Sequence, residues 1–301
     1  MSLWSEAMIN GRHIDCTAEE HHAREEYSNS MLKYLPHDPE LFWGKYIADP
    51  KPAWAKRPFK TTRDMELGTA FHGMLLENEV FPIVPRDILS SDGSMTTKAA
   101  KQFKADFPNY LKQDENDDLT YAVERCKKDP EIMAFLDTKG KVEHTLVAED
   151  ESTGLPTRGR LDRLCWFADG LWVFDVKFSG GTCKRWVEKQ MAEMGYYRAG
   201  PFYADLAEAT YGIPVVGVAF LFVRNKPPFD AALWKMSHED IDLGRRHNAI
   251  ALADLASRLE SWNWFGTTYG KLNPAELPRW KREEVGGEHA PYHEFVEFET
   301  E

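Results

Sequence analysis

Cysteine is scarce and scattered. The four in 301 residues, Cys16, Cys126, Cys165 and Cys183, form no CxxC pair, which excludes a zinc ribbon, an iron–sulfur cluster or a dithiol redox centre built on that spacing. Long apolar runs are missing too. Nothing approaches the ~20 consecutive apolar residues that a membrane span requires, and the opening MSLWSEAMINGRHIDC has no apolar core of the kind a secretory leader carries. The expectation is a soluble, cytoplasmic protein with reduced cysteines. A basic excess is also absent: 37 Lys and Arg stand against 49 Asp and Glu, for a net charge of -12. Proteins that coat nucleic acid by bulk electrostatics are usually basic, so any such contact here must be local, through a basic channel or through cations seated among carboxylates. There is no internal repeat and no low-complexity segment.

With 43% apolar residues the chain can bury one large core. Residues 1–26 are polar, with His13, His21 and His22 among acids, and read as an irregular solvated arm. From Tyr27, YSNSMLKYLPHDPELFWGKY offers Ser28 or Ser30 as a helix N-cap ahead of Met31, Leu32 and Leu35. Asp38-Pro39 starts a second helix. The two serines are also placed to hold a phosphate, because a helix start presents free N–H groups. The segment KPAWAKRPFKTTR interleaves Lys51, Lys56, Arg57, Lys60 and Arg63 with Trp54 and Phe59, a pattern that suits a nucleic-acid backbone or a solvated loop equally. MELGTAFHGMLLENEVF has helical spacing of Leu67, Phe71, Met74 and Leu75, with His72 beside that stripe. Residues 95–137 read as two helical pieces split by an acidic turn, QDENDD, whose acids belong to a solvated loop.

From Lys141 the period changes to two. A strand, a Glu151-Ser152-Thr153-Gly154 turn and then GRLDRLCWFADGLWVFDVKFS form a hairpin turning at Ala168-Asp169-Gly170. Side chains alternate along its second strand, so Asp175 and Lys177 project opposite to Phe174, Val176 and Phe178. Pairing across the turn brings Asp162 towards Asp175. Glu143, on the preceding strand, either points into this site or is exposed, and exposure is the favoured reading. Thr182 to Tyr211 reads as a long helical region kinked or interrupted at Gly200-Pro201, with Tyr196, Ala199 and Tyr203 on one face. VVGVAFLFV is a buried strand, a further strand lies near Ala231 to Met236, and a helix runs from His238 to Trp262. The alternation predicts an α/β fold with a central mixed sheet flanked by helices.

Two carboxylates on adjacent strands suit a hard divalent cation such as Mg²⁺ or Mn²⁺. A lysine two residues from one of them adds a positive charge that orients water or offsets charge developing on a phosphate. That combination fits phosphodiester hydrolysis; a hairpin with exposed polar residues is the plainer alternative.

Asp162, Asp175 and Lys177 in GRLDRL…WVFDVKFS resemble the PD-(D/E)XK nuclease pattern, whose core is restriction-endonuclease-like. LGTAFHGMLLE is similar to the upstream histidine motif of its RecB-like and phage exonuclease branch. YSNSMLKYLPHDPELF, the strand pair, GYYRAGPFYADL and LPRW together resemble, in the same order, the C-terminal nuclease domain of exonuclease VIII (the RecE type), over about residues 27–282. The resemblance implies domain bounds of 27–282, after the 1–26 arm and before an acidic tail, 283–301. It implies His72, Asp162, Asp175 and the Val176 carbonyl as ligands of Mg²⁺ or Mn²⁺, and Lys177 as the catalytic lysine. Ser28, Ser30, Arg160 and Tyr203 would contact DNA. Where the family's helical motif has a glutamine this chain has Ala199, which bears on substrate handling. The activity implied is a metal-dependent exonuclease on linear double-stranded DNA, 5′ to 3′, exposing a 3′ strand for recombination. The implied partners are a phage-type single-strand annealing protein and further copies of the chain in a toroidal trimer or tetramer. A structure-specific or restriction-like endonuclease, and a DNA-binding module with impaired catalysis, are the alternatives.

Overall fold

The computed structural model describes residues 10–56 and 60–266. One compact unit spans Met1–Trp264, and Phe265–Glu301 form a second. Among the described residues the first unit is built on a seven-stranded mixed sheet. In chain order the strands are β1 (Gly11–Ile14), β2 (Tyr27–Ser28), β3 (Gly140–Glu149), β4 (Pro156–Phe167), β5 (Gly170–Ser179), β6 (Val215–Arg224) and β7 (Ala231–Lys235). Spatially they run β1-β3-β4-β5-β6-β7, with β2 added beside β4. The β3–β4 and β4–β5 pairs are antiparallel, whereas β5 and β6 are parallel. A parallel pair needs a helical crossover, and α8 (Lys184–Glu193) and α9 (Tyr196–Tyr211) supply it.

Helices cover both faces, so the central strands carry apolar residues on both sides. Leu32 of α2 (Asn29–Leu32), Phe42 of α3 (Pro39–Phe42), Phe202 and Leu206 of α9, and Leu255 of the helix at His238–Ser261 pack with Val173, Phe220 and Phe222. Phe71 of α4 (Arg63–His72) packs on the other side. It is joined there by Leu119 and Val123 of a helix at Gln113–Lys127, Ile132 of one at Pro130–Asp137, and Phe174, Val176 and Leu221 of the sheet. Alternation along β5 thus sends Phe174 and Val176 to the α4 side, as the period-two pattern anticipates.

The N-terminal segment departs from the irregular arm expected for residues 1–26. Gly11–Ile14 is an edge strand paired with β3, and Ala18–Ala23 is a helix (α1) capped by Thr17. Its polar composition concealed this because an edge strand buries little of its length. His21 is the exception, buried and hydrogen-bonded through Nδ1 to Thr145 Oγ1 at 3.2 Å.

QDENDD is likewise no loop. It opens the helix Gln113–Lys127, where acids complement the positive end of the helix dipole, and Glu115 accepts the Lys112 N–H at 2.8 Å. The crossover breaks at Gly195, whose φ of 75° is left-handed and suits glycine, and not at Gly200-Pro201. Pro201 lies inside α9, where its missing N–H forfeits a single bond within the first two turns. The expected tail 283–301, the LPRW motif and the 282 boundary lie outside the described residues, as do Arg57 and Phe59.

Candidate active site

The ladder between β4 and β5 pairs Phe167 with Gly170 and continues to Arg163 and Phe174, where it stops. Further along, the same edge of β4 pairs with β2 at Thr157 and Arg158. Residues 159–162 therefore face a gap in the sheet, and the sequence-predicted site residues gather there. Asp162 stands at its rim and substitutes for the missing ladder: its Oδ2 accepts the Val176 N–H at 2.8 Å. Gly159 has no side chain to fill the gap, and a Cβ there would lie 2.8 Å from the Tyr203 ring.

Four groups converge. His72 ends α4 and places Nδ1 3.7 Å from Asp162 Oδ2. Lys177 Nζ lies 3.9 Å from the same oxygen, is ion-paired with Asp175 Oδ2, and donates to the Val176 carbonyl at 3.2 Å. The Tyr196 ring, whose part spacing alone did not disclose, sits under that ammonium at 5.0 Å from its centroid. Burial drives the Asp175 carboxyl up to about 6, against the pull of Lys177. Burial would lower the Lys177 ammonium, but Asp175 and Asp162 hold it above its ordinary value. Burial, with Lys177 nearby, pushes the His72 imidazole down to about 4, so at neutral pH it is an uncharged lone-pair donor.

Glu143 corrects its sequence reading. Instead of standing exposed, it takes a left-handed φ of 47° and drops out of the β3–β4 ladder, which pairs Val142 with Arg163 and His144 with Leu161 and skips Glu143 and Asp162. This local irregularity turns its carboxylate inward. Ligand atoms of His72, Glu143 and Asp162 all lie within 4.8 Å of one another. Burial, then the charge of Asp162, raises the Glu143 carboxyl. No periodicity signals such a residue, because the departure from alternation is what places it.

The donors fit a hard divalent cation. Asp175 is only 4% exposed, and its Oδ2 is ion-paired with the Lys177 ammonium, which also stands 3.9 Å from Asp162 Oδ2. Two carboxylates, a backbone carbonyl and one imidazole make an oxygen-rich set of the kind Mg²⁺ and Mn²⁺ accept.

Beside the site a cavity of about 210 Å³ is bordered by Ser28, Ser30, Arg160, Tyr203 and Asp162, with His21 and His22 at its edge. Ser28 and Ser30 share a hydroxyl hydrogen bond of 2.9 Å. Arg160 donates to Glu143 at 2.7 Å and to the Cys16 carbonyl at 3.0 Å. Two other arginines, one of them from the basic segment 51–63, are structural. Arg158 is buried and donates to the Arg24 carbonyl at 2.6 Å and to that of Glu26. Arg63 is ion-paired with Glu66 and Glu115 and lies 4.7 Å from the Tyr110 ring. Ala199, half-buried on α9, contributes nothing polar where the resemblance has glutamine.

A family model described as a PDDEXK-like domain of unknown function (DUF3799) matches residues 28–259. No curated protein matches the sequence. Among solved structures, one named "Putative exonuclease" from Eubacterium rectale superposes with a TM-score of 0.54 at 12% identity, over 91% of this chain and 99% of that one. The protein VC1899 from Vibrio cholerae superposes with a TM-score of 0.21 at 12% identity, over 84% of this chain and 59% of that one.

Proposed function

Because the chain belongs to the PDDEXK-like family matched over residues 28–259, we propose that it is a divalent-cation-dependent deoxyribonuclease, and specifically an exonuclease on linear double-stranded DNA. The observation that carries this reading is the convergence of Asp162, Asp175 and Lys177 at the open stretch of the sheet, with Lys177 ion-paired to Asp175. In it, His72, Asp162, Asp175 and the Val176 carbonyl would hold Mg²⁺ or Mn²⁺. When bound, the cation lowers the pKa of water and offsets phosphate charge. Lys177 stabilises negative charge on the scissile phosphate, and Tyr196 keeps the ammonium in place.

The adjoining cavity favours an exonuclease over an endonuclease. Ser28, Ser30, Arg160 and Tyr203 line it together with the Glu143 and Asp162 carboxylates, and with those carboxylates offset by the cation it suits a terminal phosphate group, whereas a continuous strand has no end to seat there. The same reading takes digestion as 5′ to 3′, exposing a 3′ strand for recombination. A phage-type annealing protein would be the partner and a ring of copies the assembly.

End-labelled linear duplex and closed circular DNA of the same sequence separate the two activities. The expected result is release of nucleotides from the linear form with Mg²⁺ or Mn²⁺, none with chelator, and an intact circle. Cleavage of the circle at a comparable rate makes the protein an endonuclease, and inertness towards both defeats the nuclease reading. Among the described residues no helix is long and apolar enough to cross a membrane.

Cation binding should depend on pH through Asp175. With its carboxyl raised to about 6, this group holds a proton below that pH and must shed it to become a ligand, whereas His72, lowered to about 4, is already neutral. The Mn²⁺ dissociation constant from calorimetry is expected to be flat above about pH 7 and to weaken by about tenfold per unit below pH 6. Stability has the matching sign: a raised acid favours the fold at low pH, and that contribution is lost as pH rises through about 6. A dissociation constant that stays flat down to pH 5 would exclude Asp175 as the titrating ligand.

A further inference from the structure

The pattern Asp162, Asp175, Lys177 with upstream His72 leaves out a third carboxylate. Glu143 comes from a strand that contributes nothing to that pattern, yet it offers a ligand atom within 4.8 Å of both His72 and Asp162. Its left-handed backbone takes it out of the β3–β4 ladder and opposite Asp162. Asp175, 4% exposed, is joined to the same site through Lys177, which ion-pairs with it and stands 3.9 Å from Asp162 Oδ2. Glu143 is neutralised instead by Arg160, at 2.7 Å, and the Arg160 side chain borders the cavity next to Asp162.

We propose that Glu143 is a cation ligand alongside His72 and Asp162, and that in taking up the cation it releases Arg160 to a phosphate in the adjoining cavity. One carboxylate then serves two partners in turn. In the cation-free protein Glu143 holds the guanidinium; in the loaded protein the cation takes its charge, and Arg160 is left with the Cys16 carbonyl and Thr145 hydroxyl, at 3.0 and 3.4 Å, and with donors to spare. Cation and DNA would thus bind with positive coupling, by exchange of ion pairs and with no movement of the sheet. This rests on the nuclease reading, but makes a claim about a residue outside its pattern.

Mn²⁺ calorimetry on the full chain and fluorescence anisotropy with a 5′-phosphorylated duplex in chelator test it, using E143Q, R160Q and the double variant. E143Q should weaken Mn²⁺ binding by about tenfold or more. R160Q, which breaks the same ion pair without removing the ligand, should bind Mn²⁺ at least as tightly as the parent. In chelator, E143Q should bind the duplex several-fold more tightly than the parent, and the double variant should lose that gain.

Parental Mn²⁺ affinity in E143Q overturns the proposal. So does an equal loss in R160Q, which would make Glu143 a structural partner of Arg160, and so does unchanged duplex affinity in E143Q. If E143Q does not fold, E143D replaces it, with a smaller loss of Mn²⁺ affinity expected and parental affinity again overturning the proposal. A parent chain that neither binds Mn²⁺ nor cleaves DNA defeats the nuclease reading itself, whereas a parent that does both while E143Q keeps full affinity defeats only this inference.

Discussion

Asp175→Asn and Lys177→Met are each expected to slow cleavage of linear duplex by about a thousandfold, and to do so for different reasons. Asp175 is a ligand in this reading, so its amide should lose both cleavage and most Mn²⁺ affinity. Lys177 is not a ligand. Its replacement by Met keeps an unbranched apolar stem against the Tyr196 ring and should spare Mn²⁺ binding measured well above neutral pH, where Asp175 has shed its proton, while cleavage is lost. A variant that loses cation binding with Lys177, or keeps it with Asp175 gone, would reverse the two assignments.

The pair also has a stability signature in the metal-free protein. Asp175 and Lys177 are ion-paired where Asp175 is buried. Removing Lys177 alone leaves a buried carboxylate without its cation, at a cost of about 3–5 kcal/mol at neutral pH unless the acid takes a proton. K177M should therefore melt well below the parent at pH 8 and much closer to it at pH 5, because Asp175, already raised to about 6, is pushed higher still. The double variant D175N/K177M should recover stability without recovering activity. A K177M midpoint that matches the parent at pH 8 would show that the pair contributes little to the fold.

Phe71→Ala is expected to give the largest loss of stability among apolar truncations near the site. The side chain is fully buried and stacks on Phe178 with ring centroids 4.6 Å apart. It locks α4 against the sheet strand that carries Asp175 and Lys177, and it immediately precedes His72. Truncation to Ala should cost about 3–5 kcal/mol, a transfer loss plus the cavity left behind. For a unit of this size that corresponds to a fall of roughly 10 °C in the melting midpoint. Because α4 aims His72 at Asp162, Mn²⁺ affinity measured well below the new midpoint should fall as well. A melting shift below ~2 °C would mean that the neighbouring side chains close the void, which fully packed interiors do only in part.

Much of this protein was legible from spacing. The β4–β5 hairpin, the alternation along β5, the buried β6 and the helix carrying His72 all follow from period-two and helical patterns, because burial on one or two faces imposes those periods directly. The errors fell where local composition and tertiary role diverge. β1 is a polar edge strand, ordered by its hydrogen bonds to β3. The acids of QDENDD serve the start of a helix. Gly195 ends α8 where Gly200-Pro201 looked the stronger breaker.

By itself the sequence determined that Asp162, Asp175 and Lys177 lie on adjoining strands, and that His72 lies on a helix with an apolar face. Periodicity and the resemblance to a nuclease pattern both act along the chain. Only the tertiary structure decided that the β4–β5 ladder ends beside these groups, that Tyr196 sits under the lysine, that Arg158 and Arg63 are structural, and that Glu143 turns inward. Each of these depends on which strand or helix meets which across tens of residues. A left-handed residue that breaks a ladder carries no period in the sequence by which it could be read.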